Sequence, residues 1–296
     1  MHFHEQALSF ACEGEALVGI LSVPERSVER NDECSAERAV LIVVGGPQYR
    51  AGSHRQFIQL ARALAAQGIA SLRFDYRGMG DSGGGVRDFQ DVDADLRAAV
   101  DQMFAALPDL REVVIWGLCD AASAALFYAA ADPRVTGLVL LNPWARTSGG
   151  EAKATLKHYY RARLADPAFW RKIRQGRFNV GAASASLFGV LRRALGAPRA
   201  DAGAGGNGAS SAGLGLHERM QAGFAAFRGQ VLLIISGADL TAQEFMDMAQ
   251  GSPRWQAMLA EARVTRQRID GADHTFSRRQ WKDQVADWTG AWLRSW

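Results

Sequence analysis

With 296 residues, of which 48% are hydrophobic and 22% charged, the chain is long enough for one large globular α/β domain with an insertion. A formal net charge of +3 argues against a nucleic-acid-binding protein, and no apolar run approaches the roughly 18 residues of a membrane span. The N-terminal residues lack the basic and apolar regions of a signal peptide, and the three cysteines match neither a zinc site nor a disulfide framework. We therefore expect a cytoplasmic protein.

Strands and helices are predicted to alternate along most of the chain. Residues 6–12 and 16–22 are predicted to form an antiparallel hairpin. Further strands are predicted at 39–44, 69–74, 113–118, 137–141, 231–236 and 263–269, with helices at 54–67, 88–107, after the strand at 113–118, after 231–236 and from 278 onward. This alternation predicts a mostly parallel sheet that is covered on both faces. The tryptophans of the last helix share one face, which we expect to pack in the core: Trp281, Trp288 and Trp292.

An insertion interrupts this alternation. We assign residues 1–144 and 228–296 to the core and residues 145–227 to a helical cap with a Gly- and Ala-rich linker at 202–215. Residues 151–200 contain eleven Lys or Arg against two acidic residues. Two interpretations stay open for this basic stretch. It is an ordinary lid with a solvated charged face, or it captures an anionic substrate, an anionic carrier or an anionic membrane surface.

One short stretch joins a β-branched strand to an alanine-rich helix and reads Gly117-Leu118-Cys119-Asp120-Ala121. A sharp strand-to-helix turn strains its central residue and leaves no room for large side chains two positions to either side. The pattern is typical of a nucleophile elbow with Cys119 as the nucleophile. Asp120 as the nucleophile would put Leu118 where a small residue is needed. The alternative is a buried structural cysteine at a tight turn.

A thiol nucleophile needs a base, and the base needs an orienting acid. Asp239 and His274 each follow a later predicted strand, so both fall with Cys119 at the carboxyl edge of the sheet. We predict Asp239 as the acid and His274 as the base. Glu244 is the rival acid, and its other role is to favour the dipole of the helix that it begins. Asp273 is predicted to form a turn beside the histidine.

Tetrahedral intermediates of acyl transfer need an oxyanion hole built from backbone N–H groups. The residue after the nucleophile supplies one donor, here Asp120, and the loop that follows the strand at 39–44 supplies the other. Pro47 in that loop has no N–H, so Gly46 is the first choice and Gln48 the second. The alternative is a Gly-Pro turn with no part in the chemistry.

No cofactor or metal ion is expected. Residues 75–82 lack both the Gly-x-Gly-x-x-Gly spacing and the Gly-Lys-Ser ending of phosphate-binding loops. Three isolated histidines are predicted to be surface or cap residues: His54, His158 and His217. Four carboxylates fall at a helix start, where they favour the helix dipole: Asp88, Asp91, Asp93 and Asp95.

The motifs in combination resemble those of a known superfamily. Val44-Gly45-Gly46-Pro47, the run Phe74-Asp75-Tyr76-Arg77-Gly78-Met79-Gly80-Asp81-Ser82 and the elbow resemble the α/β-hydrolase superfamily with a cap domain. The resemblance covers residues 39–144 and 228–296. It implies an α/β-hydrolase fold, a mostly parallel sheet with an inserted helical cap.

A narrower resemblance is carried by three segments, residues 45–50, 117–122 and 271–276 (Gly-Ala-Asp-His-Thr-Phe). They are similar to the exosortase-A-system-associated hydrolases of type 1, bacterial proteins encoded with exopolysaccharide and protein-sorting systems. Dienelactone hydrolases also use Cys, His and Asp, but they are smaller and lack so large a cap. Polyhydroxyalkanoate synthases share a Gly-x-Cys-x-Gly elbow, from which this chain departs at Ala121.

We therefore expect hydrolysis of a small-molecule ester or thioester through an S-acyl enzyme. Cys119, His274 and Asp239 would form the triad, with Gly46 and Asp120 as oxyanion donors. The alternatives are an acyltransferase of the same fold, similar to polyhydroxyalkanoate synthases, and a non-catalytic partner of an exopolysaccharide or protein-sorting system that docks through the basic cap.

Overall fold

The computed structural model describes residues 3–25, 37–46, 48–146 and 214–296. An 8-stranded sheet runs through these ranges in the order β1-β2-β4-β3-β5-β6-β7-β8. Its strands are β1 (Phe3–Cys12), β2 (Glu15–Pro24), β3 (Arg38–Val43), β4 (Ala70–Asp75), β5 (Glu112–Leu118), β6 (Val135–Leu141), β7 (Gln230–Ser236) and β8 (Val264–Ile269). β2 pairs antiparallel with β1 and with β4, and each of the other neighbouring pairs is parallel. The predicted hairpin and the mostly parallel sheet are therefore confirmed.

The helices pack on both faces of the sheet. They are α1 (Gln56–Ala66), α2 (Asp93–Ala106), α3 (Asp120–Tyr128), α4 (Leu216–Ala226), α5 (Leu240–Gln250), α6 (Pro253–Leu259) and α7 (Arg279–Leu293). Alternate residues of β5, Val114, Trp116 and Leu118, form a buried cluster with residues of α1 and α7. Since strand side chains alternate between the two faces, Gly117 meets α3 on the opposite face, where its neighbour is Ala121.

The tryptophans of α7 anchor that helix to the core, as its sequence predicts. The side chains of Trp281 and Trp292 are buried, and Trp288 packs against the same cluster while staying partly exposed. The ring of Phe57 in α1 meets Trp116 edge-on, with centroids 5.6 Å apart. These contacts hold α1 and α7 together on one face of the sheet.

Contacts divide the chain into two units, residues 1–145 with 217–296, and residues 146–216. Most of the second unit, including the basic stretch at 151–200 and most of the linker at 202–215, lies outside the described residues, so the cap and its anionic partner stay predictions. Residues 217–226, which we assigned to the cap, group with the first unit. They do so because α4 buries Phe224, whose ring lies with its centroid 5.2 Å from that of Trp255.

No helix in the described ranges is both long and apolar enough to cross a membrane.

The loop after β4 is organised around the buried carboxylate of Asp75. It accepts hydrogen bonds from the backbone N–H of Arg50 at 2.6 Å and of Asp81 at 3.1 Å, and it pairs with the Arg50 guanidinium. A Cβ at Gly80 would lie 2.3 Å from this carboxylate, so only glycine fits there. Residues 75–82 therefore form a structural turn.

A buried ion pair joins this loop to α2. Asp95 accepts from the Arg77 guanidinium, with Nε–Oδ1 and Nη2–Oδ2 distances of 3.0 and 2.9 Å, and from the Arg77 backbone N–H at 2.8 Å. Our expectation that Asp95 serves the helix dipole is therefore incomplete, because its carboxylate is committed to a buried arginine.

Candidate active site

Cys119 lies on the turn between β5 and α3 in a strained conformation, with φ 65° and ψ −126°. The turn is so tight that a Cβ at Gly117 would lie 2.7 Å from the carbonyl oxygen of Ala121. The backbone N–H of Cys119 donates to the carbonyl of Leu141 at the end of β6, at 2.9 Å. The thiol is half-buried at the carboxyl edge of the sheet. The geometry is that of a nucleophile elbow.

Asp239 follows β7 and caps α5. Its carboxylate accepts from the backbone N–H groups of Thr241 at 3.3 Å and Ala242 at 3.0 Å. The same carboxylate lies 2.9 Å from Nδ1 of His274, measured at Oδ2. The helix cap thus fixes the carboxylate that orients the imidazole. Glu244 lies one turn further along α5, and the acid that contacts Nδ1 is Asp239.

The surroundings of His274 favour its charged form. Burial alone would lower the pKa of His274, but hydrogen bonds to the Asp239 carboxylate and to Cys119 raise that pKa to about 10. Since Nδ1 faces Asp239, the nitrogen left for Cys119 is Nε2. The raised pKa of His274 favours the imidazole that carries both protons, and the hydrogen bond to Asp239 fixes the orientation of the ring.

Two polar residues at the strand ends hold the loop of His274, and the sequence analysis missed both. The Asn142 amide donates to Ser236 Oγ at 2.8 Å and to the carbonyl of His274 at 3.1 Å. Ser236 in turn donates to the carbonyl of Asp273 at 2.9 Å. Asp273 forms a turn, as predicted, because its carboxylate accepts from the backbone N–H of Ser277 at 2.9 Å. The sequence signal for Asn142 was a polar residue immediately after β6, at the same edge of the sheet as Cys119, Asp239 and His274.

The predicted oxyanion donors are engaged by a side chain of the elbow. The N–H of Gly46 lies 2.8 and 2.9 Å from the two carboxylate oxygens of Asp120. The N–H of Ala121 donates to Oδ1 of the same carboxylate at 2.9 Å. The N–H of Gln48, our second choice, donates to the carbonyl of Gly46 at 2.8 Å and is therefore turned into its own loop.

The electrostatics of Asp120 reflect two opposing effects. Burial raises the pKa of the Asp120 carboxyl, while the hydrogen bonds from Gly46, Ala121 and its own N–H lower it, and the net direction is upward. Burial of the Tyr76 hydroxyl, together with the nearby charge of Asp120, raises the pKa of Tyr76. Asp120 is half-buried beside Cys119.

A sequence model described as the alpha/beta hydrolase family matches residues 40–288. The chain belongs to the α/β-hydrolase family. Both the predicted superfamily and the predicted α/β-hydrolase fold are thereby confirmed. A comparison with the curated proteins gives no match.

Solved α/β-hydrolase structures resemble the chain over almost its whole length. An esterase from Pyrococcus furiosus is 16% identical with a TM-score of 0.62, covering 99% of this chain and 92% of that chain. The esterase domain of a Rhodothermus marinus protein is 18% identical with a TM-score of 0.56, covering 98% of each. The 2,6-dihydroxy-pseudo-oxynicotine hydrolase is 13% identical with a TM-score of 0.57, covering 98% of this chain and 68% of that chain. At these identities the likeness shows the fold.

Proposed function

We propose that this α/β-hydrolase cleaves carboxylic esters or thioesters through an S-acyl intermediate on Cys119. The observation that carries the proposal is the pairing of His274 Nδ1 with Asp239 Oδ2, 2.9 Å apart, at the sheet edge where Cys119 lies in a strained turn. Two solved structures of similar fold are named esterases, which supports an ester as the substrate class.

In the acylation step, Nε2 of His274 takes the thiol proton of Cys119, and the raised pKa of His274 favours the charged ring that results. The Cys119 sulfur attacks the acyl carbon, a C–S bond forms, and the carbonyl π electrons move to oxygen. When the tetrahedral intermediate collapses, the bond to the leaving oxygen or sulfur breaks. The leaving group takes its proton from Nε2 of His274.

In the deacylation step, water attacks the S-acyl carbon and gives a proton to the neutral His274. Collapse of the second tetrahedral intermediate breaks the C–S bond, releases the carboxylic acid and restores the Cys119–His274 pair. Asp239 keeps Nδ1 protonated throughout, so Nε2 is the nitrogen that exchanges protons with sulfur, leaving group and water.

The test is turnover of p-nitrophenyl butyrate and of a butyryl thioester, with intact-mass detection of an acyl adduct. We expect Cys119→Ala to lower kcat by at least about 10³-fold, since triad members act as a unit, and to abolish the adduct. The control is Cys12→Ala, which removes a buried cysteine of β1 and should leave turnover unchanged. Full turnover by Cys119→Ala would rule out the proposed nucleophile.

The fate of the acyl group separates hydrolysis from acyl transfer, the alternative in the same fold. Adding an alcohol acceptor during turnover should still yield mostly free acid if water is the natural acceptor, and an ester if the enzyme is an acyltransferase.

On the motifs at residues 45–50, 117–122 and 271–276, we also propose that the chain is an exosortase-A-system-associated hydrolase of type 1. A reducing cytoplasm would keep its thiol usable.

A further inference from the structure

An N–H group expected to hold an oxyanion already binds an anion. Both oxygens of the Asp120 carboxylate lie within 2.9 Å of the Gly46 nitrogen, and the N–H of Ala121 donates to Oδ1 of the same carboxylate at 2.9 Å. In an α/β-hydrolase the oxyanion donors are the N–H of the residue after the nucleophile, here Asp120, and an N–H of the loop after β3, where Gly46 lies. The carboxylate therefore takes the place of the oxyanion that the reaction would form.

The surrounding backbone leaves space for this carboxylate. A Cβ at Gly45 would lie 2.4 Å from Oδ1 of Asp120 and 2.4 Å from the carbonyl oxygen of Leu118, so the elbow backbone and the carboxylate both exclude a larger residue at position 45. Gly46 has a φ of 65°, which aims its N–H at Asp120 in a conformation that favours glycine. Gly45 and Gly46 thus leave room for the Asp120 carboxylate to bind the N–H of Gly46.

We propose that Asp120 gates the oxyanion hole: its carboxylate fills the hole at rest, and the substrate carbonyl must displace it before Cys119 can be acylated. The inference rests on the proposed function. A carboxylate and an oxyanion cannot share the same donors, because like charges at hydrogen-bond distance repel strongly. Catalysis therefore begins only when the side chain turns out of the hole.

The gate selects among substrates by their binding energy. Displacing Asp120 gives up its hydrogen bonds to Gly46 and Ala121, and contacts made by the rest of the substrate must offset this loss. A small ester such as p-nitrophenyl acetate makes few such contacts and should react slowly. Asp120 is thus a specificity-determining residue that disfavours small acyl groups.

The opposing view is that Asp120 is a positioning residue that ties the Gly46 loop to the start of α3. The two roles predict opposite results for removal of the side chain. If the carboxylate blocks the hole, Asp120→Ala frees the donors and speeds turnover of small esters. If it only holds the loop, Asp120→Ala loosens the donors and slows turnover.

The experiment compares kcat/KM for p-nitrophenyl acetate among the parent enzyme, Asp120→Ala and Asp120→Asn. We expect Asp120→Ala to gain at least about tenfold, a fraction of the 10²–10³ that one oxyanion donor contributes. Asp120→Asn should gain less, because its amide oxygen still accepts from Gly46 although the charge is gone. Asp88→Asn is the matched control, since it removes a nearby exposed charge without touching Gly46, and its kcat/KM should stay within about twofold.

An unchanged or lower kcat/KM in Asp120→Ala overturns the gate. If that variant does not fold, binding of a trifluoromethyl ketone, whose adduct with Cys119 carries an oxyanion, decides between parent and Asp120→Asn. Tighter binding to Asp120→Asn supports the gate, and equal or weaker binding overturns it. The double variant Cys119→Ala/Asp120→Ala tests the proposed function separately, because activity that survives there removes Cys119 as the nucleophile whatever Asp120 does.

Discussion

Replacing Asp239 with Asn tests how the acid acts on the histidine. The substitution keeps the shape of the side chain and removes its negative charge, 2.9 Å from Nδ1 of His274. The pKa of His274 is about 10 with Asp239 in place, although burial alone would lower it. Loss of the carboxylate should therefore lower the pKa of His274 and turn the imidazole toward its neutral form.

The size of the shift follows from the charge separation. Two unit charges about 4 Å apart interact by about 4 kcal/mol at an effective dielectric constant of 20. The His274 side chain is 34% exposed, so solvent screening reduces this value, and we take about half. About 2 kcal/mol corresponds to about 1.5 pKa units. We expect the pKa of His274 to fall from about 10 to about 8.5 in Asp239→Asn.

The assay is an NMR titration of ¹³C-labelled histidine, assigned with His274→Gln, alongside kcat for p-nitrophenyl butyrate. In a Ser-His-Asp triad the corresponding Asp→Asn change lowers kcat about 10⁴-fold, and we expect a loss of similar order here. A histidine whose folded pKa is raised stabilises the fold fully below its unfolded pKa of about 6.5 and loses that effect as the pH rises through about 10. The unfolding free energy lost in Asp239→Asn should accordingly be larger at pH 6 than at pH 10.

Glu244→Gln is the matched control, because it removes the charge of the rival acid on the same helix. We expect it to leave kcat and the pKa of His274 close to their parent values. A drop of less than about half a pKa unit in Asp239→Asn, with kcat retained, would refute the reasoning. A large loss of kcat in Glu244→Gln instead would transfer the acid role to Glu244.

Three further changes test other parts of the structure. Iodoacetamide should inactivate in proportion to modification of Cys119 and spare Cys12, because burial raises the pKa of the Cys12 thiol, and peptide mass spectrometry with residual activity checks this. Gly117→Ala should lower the melting temperature and abolish turnover, since its Cβ would lie 2.7 Å from the backbone of α3, and calorimetry measures the first effect. Asp95→Ala should destabilise by about 3–5 kcal/mol in urea unfolding because it leaves the buried Arg77 guanidinium without its main partner.

The fold and the chain order of the three proposed catalytic residues were predictable from local patterns. Strands that are buried on both faces read as β-branched apolar runs, and the carboxyl ends of parallel strands meet at one edge. Cys119 and Asp239 follow buried apolar strands and His274 follows the edge strand β8, so chain order alone indicated that the three would lie at one edge of the sheet. The distance of 2.9 Å between His274 and Asp239 depends on the helix cap at Asp239, which the sequence also suggests through its position before α5.

The side-chain contacts that hold the His274 loop in place could not be predicted from the sequence. Asn142 reaches across to the backbone of the His274 loop, a link between residues separated by 132 positions. No periodicity or spacing connects such residues, because the contact depends on how far β6 and β7 extend and on the register between them. A polar residue at a strand end therefore signals only that it lies at the functional edge.

The contact made by the Asp120 side chain is a second one that the sequence could not predict. Its place after Cys119 identifies its N–H as an oxyanion donor, since that role belongs to the backbone at this position whatever the side chain. Its side chain turns back toward the loop after β3, where the N–H of Gly46 donates to the carboxylate at 2.8 Å. Backbone roles thus transfer with a motif, whereas the side-chain role at the same residue depends on a neighbour 74 positions earlier, Gly46. The gate is for this reason a property of the folded site.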